Sequence, residues 1–235
     1  MSPMAEKNPH QQGRLRSRPV PTPVGKAPVG LGVLGSDHGP AEGYLYLPAG
    51  CRAEDASPLV FLLHGAGEDA RDGLAQLRGQ ADETGIVLLA LSSRGPTWDS
   101  ILARGRYGAD VAAIDRALWH AFTRCKVDPA HVALAGYSDG APYALSLGLA
   151  NGDLFSHVLA FSPGFLAPTG QTGSPRVFVS HGTRDRWLPI DRCSRRIVPR
   201  LQSAGYEVRY REFEGGHVVP PAVAREAAAW FANRG

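Results

Sequence analysis

The chain has 235 residues, 43% of them hydrophobic and 20% charged, with a formal net charge of +3. That is enough for one sizeable core, and the balance is that expected of an ordinary soluble protein. Cys51, Cys125 and Cys193 are too few and too scattered for a disulfide framework or a thiolate metal knuckle.

In chain order, residues 1–28 come first and hold the positive charge: Lys7, Arg14, Arg16, Arg18 and Lys26 stand against Glu6 alone. Six prolines remove backbone donors there, so the segment reads as a flexible, basic, Pro-rich arm ahead of a single domain over 29–235. No aromatic residue interleaves its cations, so no nucleic-acid partner is expected. With neither a signal-type apolar run nor a membrane span, the protein is expected to be soluble and cytoplasmic.

Residues 29–36 and 42–47 read as a pair of short strands about a turn at Asp37-His38-Gly39-Pro40. Residues 58–63 and 86–91 are uniformly apolar, the pattern of strands buried on both faces of a parallel sheet, with a helix over 73–84 between them. Val111, Ile114, Leu118 and Phe122 recur at helical spacing over 110–123, with Asp110 as the expected cap. Strands follow at 131–135, 158–161, 176–180 and 207–213, and helices at 190–204 and 220–233. This alternation predicts an α/β protein in three layers with a mostly parallel central sheet. The short connection from Ser162 to Ser174 leaves little or no material for a cap.

Gly136-Tyr137-Ser138-Asp139-Gly140 lies where the 131–135 strand turns into a helix that Pro142 can help open. The glycines permit a close strand-to-helix turn that lifts Ser138 above the sheet edge, the arrangement of a nucleophile elbow. A serine hydroxyl needs a base, and His217, beyond the last strand, is the candidate. The imidazole needs an orienting carboxylate, for which Asp185 is preferred over Asp139, whose adjacency to Ser138 makes the reach awkward. An oxyanion needs prearranged donors: the Asp139 amide is one, and Ala66 is preferred as the other, with Gly67 the alternative. His64 and His181 read as structural members of their loops. On the 92–108 connection Trp98 lines the substrate pocket or anchors the loop to the core, and Arg94 braces the loop or meets an anion; Trp187 is a second pocket candidate. Arg195, Arg196 and Arg200 form a wet helix face. No nucleotide fingerprint or HExxH pattern is present, and neither cofactor nor metal is expected.

On these residues, residues 41–232 resemble the α/β-hydrolase superfamily, especially compact carboxylesterase/phospholipase-like enzymes and polyester-depolymerase-like esterases. The resemblance implies the α/β-hydrolase sandwich, with Ser138 as nucleophile, Asp185 as acid, His217 as base, and Ala66 and Asp139 as oxyanion amides. Asp139 departs from the Gln often found after the serine in the carboxylesterase group. The implied activity is hydrolysis of small or lipid-like carboxylic esters through an acyl-enzyme. An acyl-protein or acyl-CoA thioesterase is the nearest alternative, and a noncatalytic hydrolase-fold binding protein the next. Oligomeric state is left open.

Overall fold

The computed structural model describes residues 8–35, 42–52, 54–103 and 105–233. Eight strands form one sheet: β1 (Gly30–Leu34), β2 (Gly43–Leu47), β3 (Ser57–Leu63), β4 (Val87–Leu91), β5 (Val127–Tyr137), β6 (His157–Phe161), β7 (Arg176–Gly182) and β8 (Val208–Phe213). Their order is β1-β2-β4-β3-β5-β6-β7-β8. The β1–β2 and β2–β4 pairs are antiparallel, and every later pair is parallel. The turn expected at Asp37–Pro40 lies outside the described residues.

The apolar runs become central strands because helices cover both faces. On one face lie α1 (Ala70–Thr84) and α6 (Pro221–Ala232), whose Leu74, Leu77, Val223 and Phe231 pack on Val60, Leu62 and Leu88. On the other lie α3 (Ala109–Phe122), α4 (Gly140–Ala150) and α5 (Ser194–Ser203), which bury Ile114, Leu118, Tyr143, Leu147 and Ile197 against Leu59, Phe61 and Leu134. A short α2 (Asp99–Leu102) was not evident in the sequence. The result is a three-layer α/β sandwich. No helix among the described residues is long and apolar enough to cross a membrane.

Two expectations are corrected here. Asp110 does not cap α3, where Gly108 occupies that place. Instead it is buried and accepts the N–H groups of Arg94 and Asp99 at 2.8 and 2.7 Å, tying the 92–108 connection to the helix. The helix-starting signal that does operate is at α1, where Asp69 and Asp72 form a reciprocal capping box.

The second correction concerns the arm. Residues 8–18 are held against the domain rather than flexible. Leu15 is buried in the core of the α3–α4 face, and its N–H donates to Asn151 Oδ1 at 2.9 Å. The Asp115 carboxylate accepts the Arg16 and Ser17 amides at 3.0 and 2.8 Å and pairs with His10 at 2.9 Å. Arg14 and Arg18 both pair with Asp153. Two of the arm's cations, Arg14 and Arg18, thus find one aspartate of the domain. A proline-rich composition removes helix and sheet options but does not prevent an extended strap from docking through its remaining amides.

Candidate active site

The site is built at the carboxyl ends of the parallel strands, where open α/β sheets place their functional loops. β5 runs directly into α4, and the turn between them is crowded: a Cβ at Gly136 would collide with the Gly140 carbonyl, and one at Gly140 with the Leu63 carbonyl. Ser138 between them has φ 52°, a left-handed conformation that costs a non-glycine residue about 1–2 kcal/mol. The strain is held by pairing on both sides, with Ser138 N–H donating to Phe161 O at 3.1 Å and Ser138 O accepting from Ala141 at 3.1 Å. The hydroxyl is therefore presented, half-buried, above the sheet edge.

His217, on the loop between β8 and α6, meets it. Its Nε2 lies 2.8 Å from Ser138 Oγ and its Nδ1 2.6 Å from Asp185 Oδ2. A carboxylate only accepts, so the Nδ1 proton points to Asp185 and Nε2 is left to accept from the serine hydroxyl. Tyr137 supports the ring from below, its centroid 5.0 Å away and its hydroxyl donating to His217 O at 2.7 Å. Burial first, then the negative charges of Glu68 and Asp185, push that hydroxyl up to about 12, which keeps it a donor. Asp185 follows β7, and its other oxygen accepts the Trp187 and Leu188 amides at 2.9 Å each. The structure therefore brings together Ser138, Asp185 and His217 from three separate loops.

Beside them, the loop after β3 leaves one amide without an acceptor. Gly65 N–H donates to Glu68 Oε2, Gly67 N–H to Pro96 O and Glu68 N–H to Gly65 O. Among the described residues neither the Ala66 amide nor the Asp139 amide has an acceptor. The Asp139 side chain accepts from Thr97 Oγ1 at 2.9 Å, so this carboxylate pins the 92–108 connection and does not contact His217. His64 is buried, with Nδ1 against Gly65 O and Nε2 accepting the Ser93 amide at 2.9 Å, a structural place as expected.

The pocket reading of Trp98 is overturned. Its side chain is fully buried, donates from Nε1 to His64 O at 2.9 Å and packs on Tyr143, so it anchors the loop. Arg94 likewise braces the loop through Glu42. Trp187 is 83% exposed, and Phe165 and Val218 are also exposed, the last adjoining His217. Arg195 is paired with Glu212 and Asp191 on the exposed face of α5. A cavity of about 270 Å³ does exist between the strap and the sheet, but Ser57, Val87 and Cys125 line it at the opposite ends of the strands from Ser138.

Sequence reasoning missed Glu68, Thr97 and Tyr137. Tyr137 was visible as the residue before the elbow serine. Glu68 and Thr97 act through loop closures that no local pattern discloses.

Similar architectures occur among solved structures. Esterase PE8 matches with 26% identity over 80% of this chain and 96% of its own, at a TM-score of 0.65. The Bacillus cereus carboxylesterase matches with 22% identity over 77% and 90%, at a TM-score of 0.56. The fluorophosphonate-binding serine hydrolase F of Staphylococcus aureus matches with 15% identity over 88% and 100%, at a TM-score of 0.66. The chain has the α/β-hydrolase fold. No protein-family model and no curated protein matches the sequence. Fold and site together are those of a serine hydrolase.

Proposed function

We propose that this α/β-hydrolase cleaves carboxylic esters, with Ser138 as nucleophile, His217 as base and Asp185 as the orienting acid. The observation that carries the reading is the single imidazole bridging Ser138 Oγ and Asp185 Oδ2 at 2.8 and 2.6 Å. In the first step His217 Nε2 takes the serine proton as Oγ attacks the ester carbonyl, and Asp185 stabilises the imidazolium that forms. The free Ala66 and Asp139 amides receive the oxyanion, where prearranged donors lower the barrier most. Collapse releases the alcohol, protonated by His217; the same ring then deprotonates a water that cleaves the acyl-enzyme.

The exposed Trp187, Phe165 and Val218 support an apolar substrate contact, and the short β6–β7 connection supports an open approach. Small or lipid-like esters are therefore the substrate class. The test is a turnover panel in which acyl length and leaving group vary, with Ser138→Ala as the blank. Ester turnover that vanishes in the blank is expected; turnover confined to acyl thioesters would reassign the enzyme as a thioesterase. Undiminished hydrolysis by Ser138→Ala would remove the proposed nucleophile.

A further inference from the structure

The serine-esterase reading leaves open what fixes the oxyanion amide of the β3–α1 loop, and the loop itself is strongly constrained. Gly65 to Glu68 form a turn closed by Glu68 N–H to Gly65 O at 3.3 Å, with Gly67 in the left-handed region at φ 71°. Pro96 O takes the Gly67 amide at 2.8 Å. The amide of buried Gly65 is taken by Glu68 Oε2 at 2.7 Å. There is no space for a side chain between this carboxylate and the nucleophile. A Cβ placed on Gly65 would stand 3.0 Å from Glu68 Oε2 and 3.2 Å from Ser138 Cβ.

We propose that Glu68 is a positioning residue for ester hydrolysis, one that clamps the Gly65 amide so that, of this loop's amides, Ala66 N–H alone joins Asp139 N–H in facing the oxyanion. Without the clamp, Gly65 N–H is a buried donor lacking an acceptor, and the turn can rotate its peptides to satisfy it. The Ala66 amide then loses its aim, which weakens a contact formed fully only as the oxyanion develops. The carboxylate acts as an acceptor in this role, and an amide oxygen can replace it.

The proposal rests on the esterase reading, and the experiment separates the two. Glu68→Ala, Glu68→Asp and Glu68→Gln are compared with wild type and Ser138→Ala for kcat, KM and inhibition by a trifluoromethyl ketone whose hemiketal adduct with the serine mimics the oxyanion. Glu68→Ala is expected to lower kcat about 10- to 100-fold with KM changed less than about 3-fold, and to weaken the ketone in step. Glu68→Gln, which keeps an acceptor oxygen at the same reach, is expected to recover kcat to within about 3-fold of wild type. If Glu68→Ala fails to fold, Glu68→Asp, one methylene short, carries the same expected loss. Wild-type kcat in Glu68→Ala or Glu68→Asp, a Gln variant as impaired as the Ala variant, or a lowered kcat with unchanged ketone affinity would each overturn the clamp. Activity persisting in Ser138→Ala would instead defeat the underlying reading.

Discussion

Two serine–histidine pairs share one carboxylate in this protein. On one side of Asp185 stand His217 and Ser138; on the other stand His181, whose Nε2 is 3.3 Å from Asp185 Oδ2, and Ser194, whose Oγ is 2.6 Å from His181 Nδ1. Residue types and separations alone do not choose between them. Their surroundings do. Ser194 is fully buried in the first turn of α5, while Ser138 is lifted into a half-buried, left-handed elbow beside two unpaired amides. His181 has committed its Nε2 proton to Leu188 O at 2.7 Å, and desolvation pushes its pKa down, so it stays neutral as a brace. A nucleophile is thus made by access and strain as much as by a hydrogen-bonded chain.

The sharpest way to break this contrast is paired replacement of the serines. Ser138→Ala should lower kcat by about 10⁴-fold or more, whereas Ser194→Ala should leave kcat within about 3-fold. Steady-state ester hydrolysis by both purified variants decides it, and a reversed order would exchange the roles of the two pairs. Asp185→Asn should cost about 10⁴-fold in kcat by presenting the wrong partner to His217 Nδ1. Because Asp185 also receives the Trp187 and Leu188 amides, its melting curve should be measured alongside.

Stability sharpens the comparison from the other side. Ser194→Ala leaves His181 Nδ1 buried without its donor and should cost about 1–3 kcal/mol in chemical denaturation. A third buried histidine extends the argument: desolvation, aided by Arg176 and His131, holds His157 down at about 4. A depressed histidine is neutral in the fold while the unfolded chain takes up a proton from about pH 6.5 downward, so its contribution is present above that pH and declines toward pH 4. That decline amounts to at most about 3 kcal/mol. His157→Leu should flatten the stability slope between pH 6.5 and 4; an unchanged slope would assign the acid sensitivity elsewhere.

The smallest expected effect lies at the strap, far from either pair. Asp115→Ala removes the acceptor of the Arg16 and Ser17 amides, and limited proteolysis should then cut within residues 8–28 sooner while ester turnover changes less than about 2-fold. Equal cleavage rates would show that Leu15 and the Arg14 and Arg18 contacts hold the strap unaided.

The central strands and the elbow turn were legible in the residues because their signals are local. The apolar runs at β3 and β4 marked buried parallel strands, and Gly136 and Gly140 marked a turn too tight for side chains. What escaped depended on distant closure. Nothing near residues 15–17 in the chain announces Asn151 and Asp115 as the acceptors of their amides, so the prolines suggested looseness where the fold supplies a dock. Trp98 carried an aromatic surface suited equally to a pocket or to a core, and only the placement of His64 O and Tyr143 decides for the core. Glu68 is silent in sequence because its partner is the backbone of Gly65, which no side-chain pattern encodes.

The most direct test of the central claim is reaction of the intact protein with a fluorophosphonate followed by peptide mapping. The elbow geometry predicts a single adduct on Ser138 that disappears in Ser138→Ala and in His217→Ala but persists in Ser194→Ala. An adduct on Ser194, or none on a folded protein that hydrolyses esters, would contradict it.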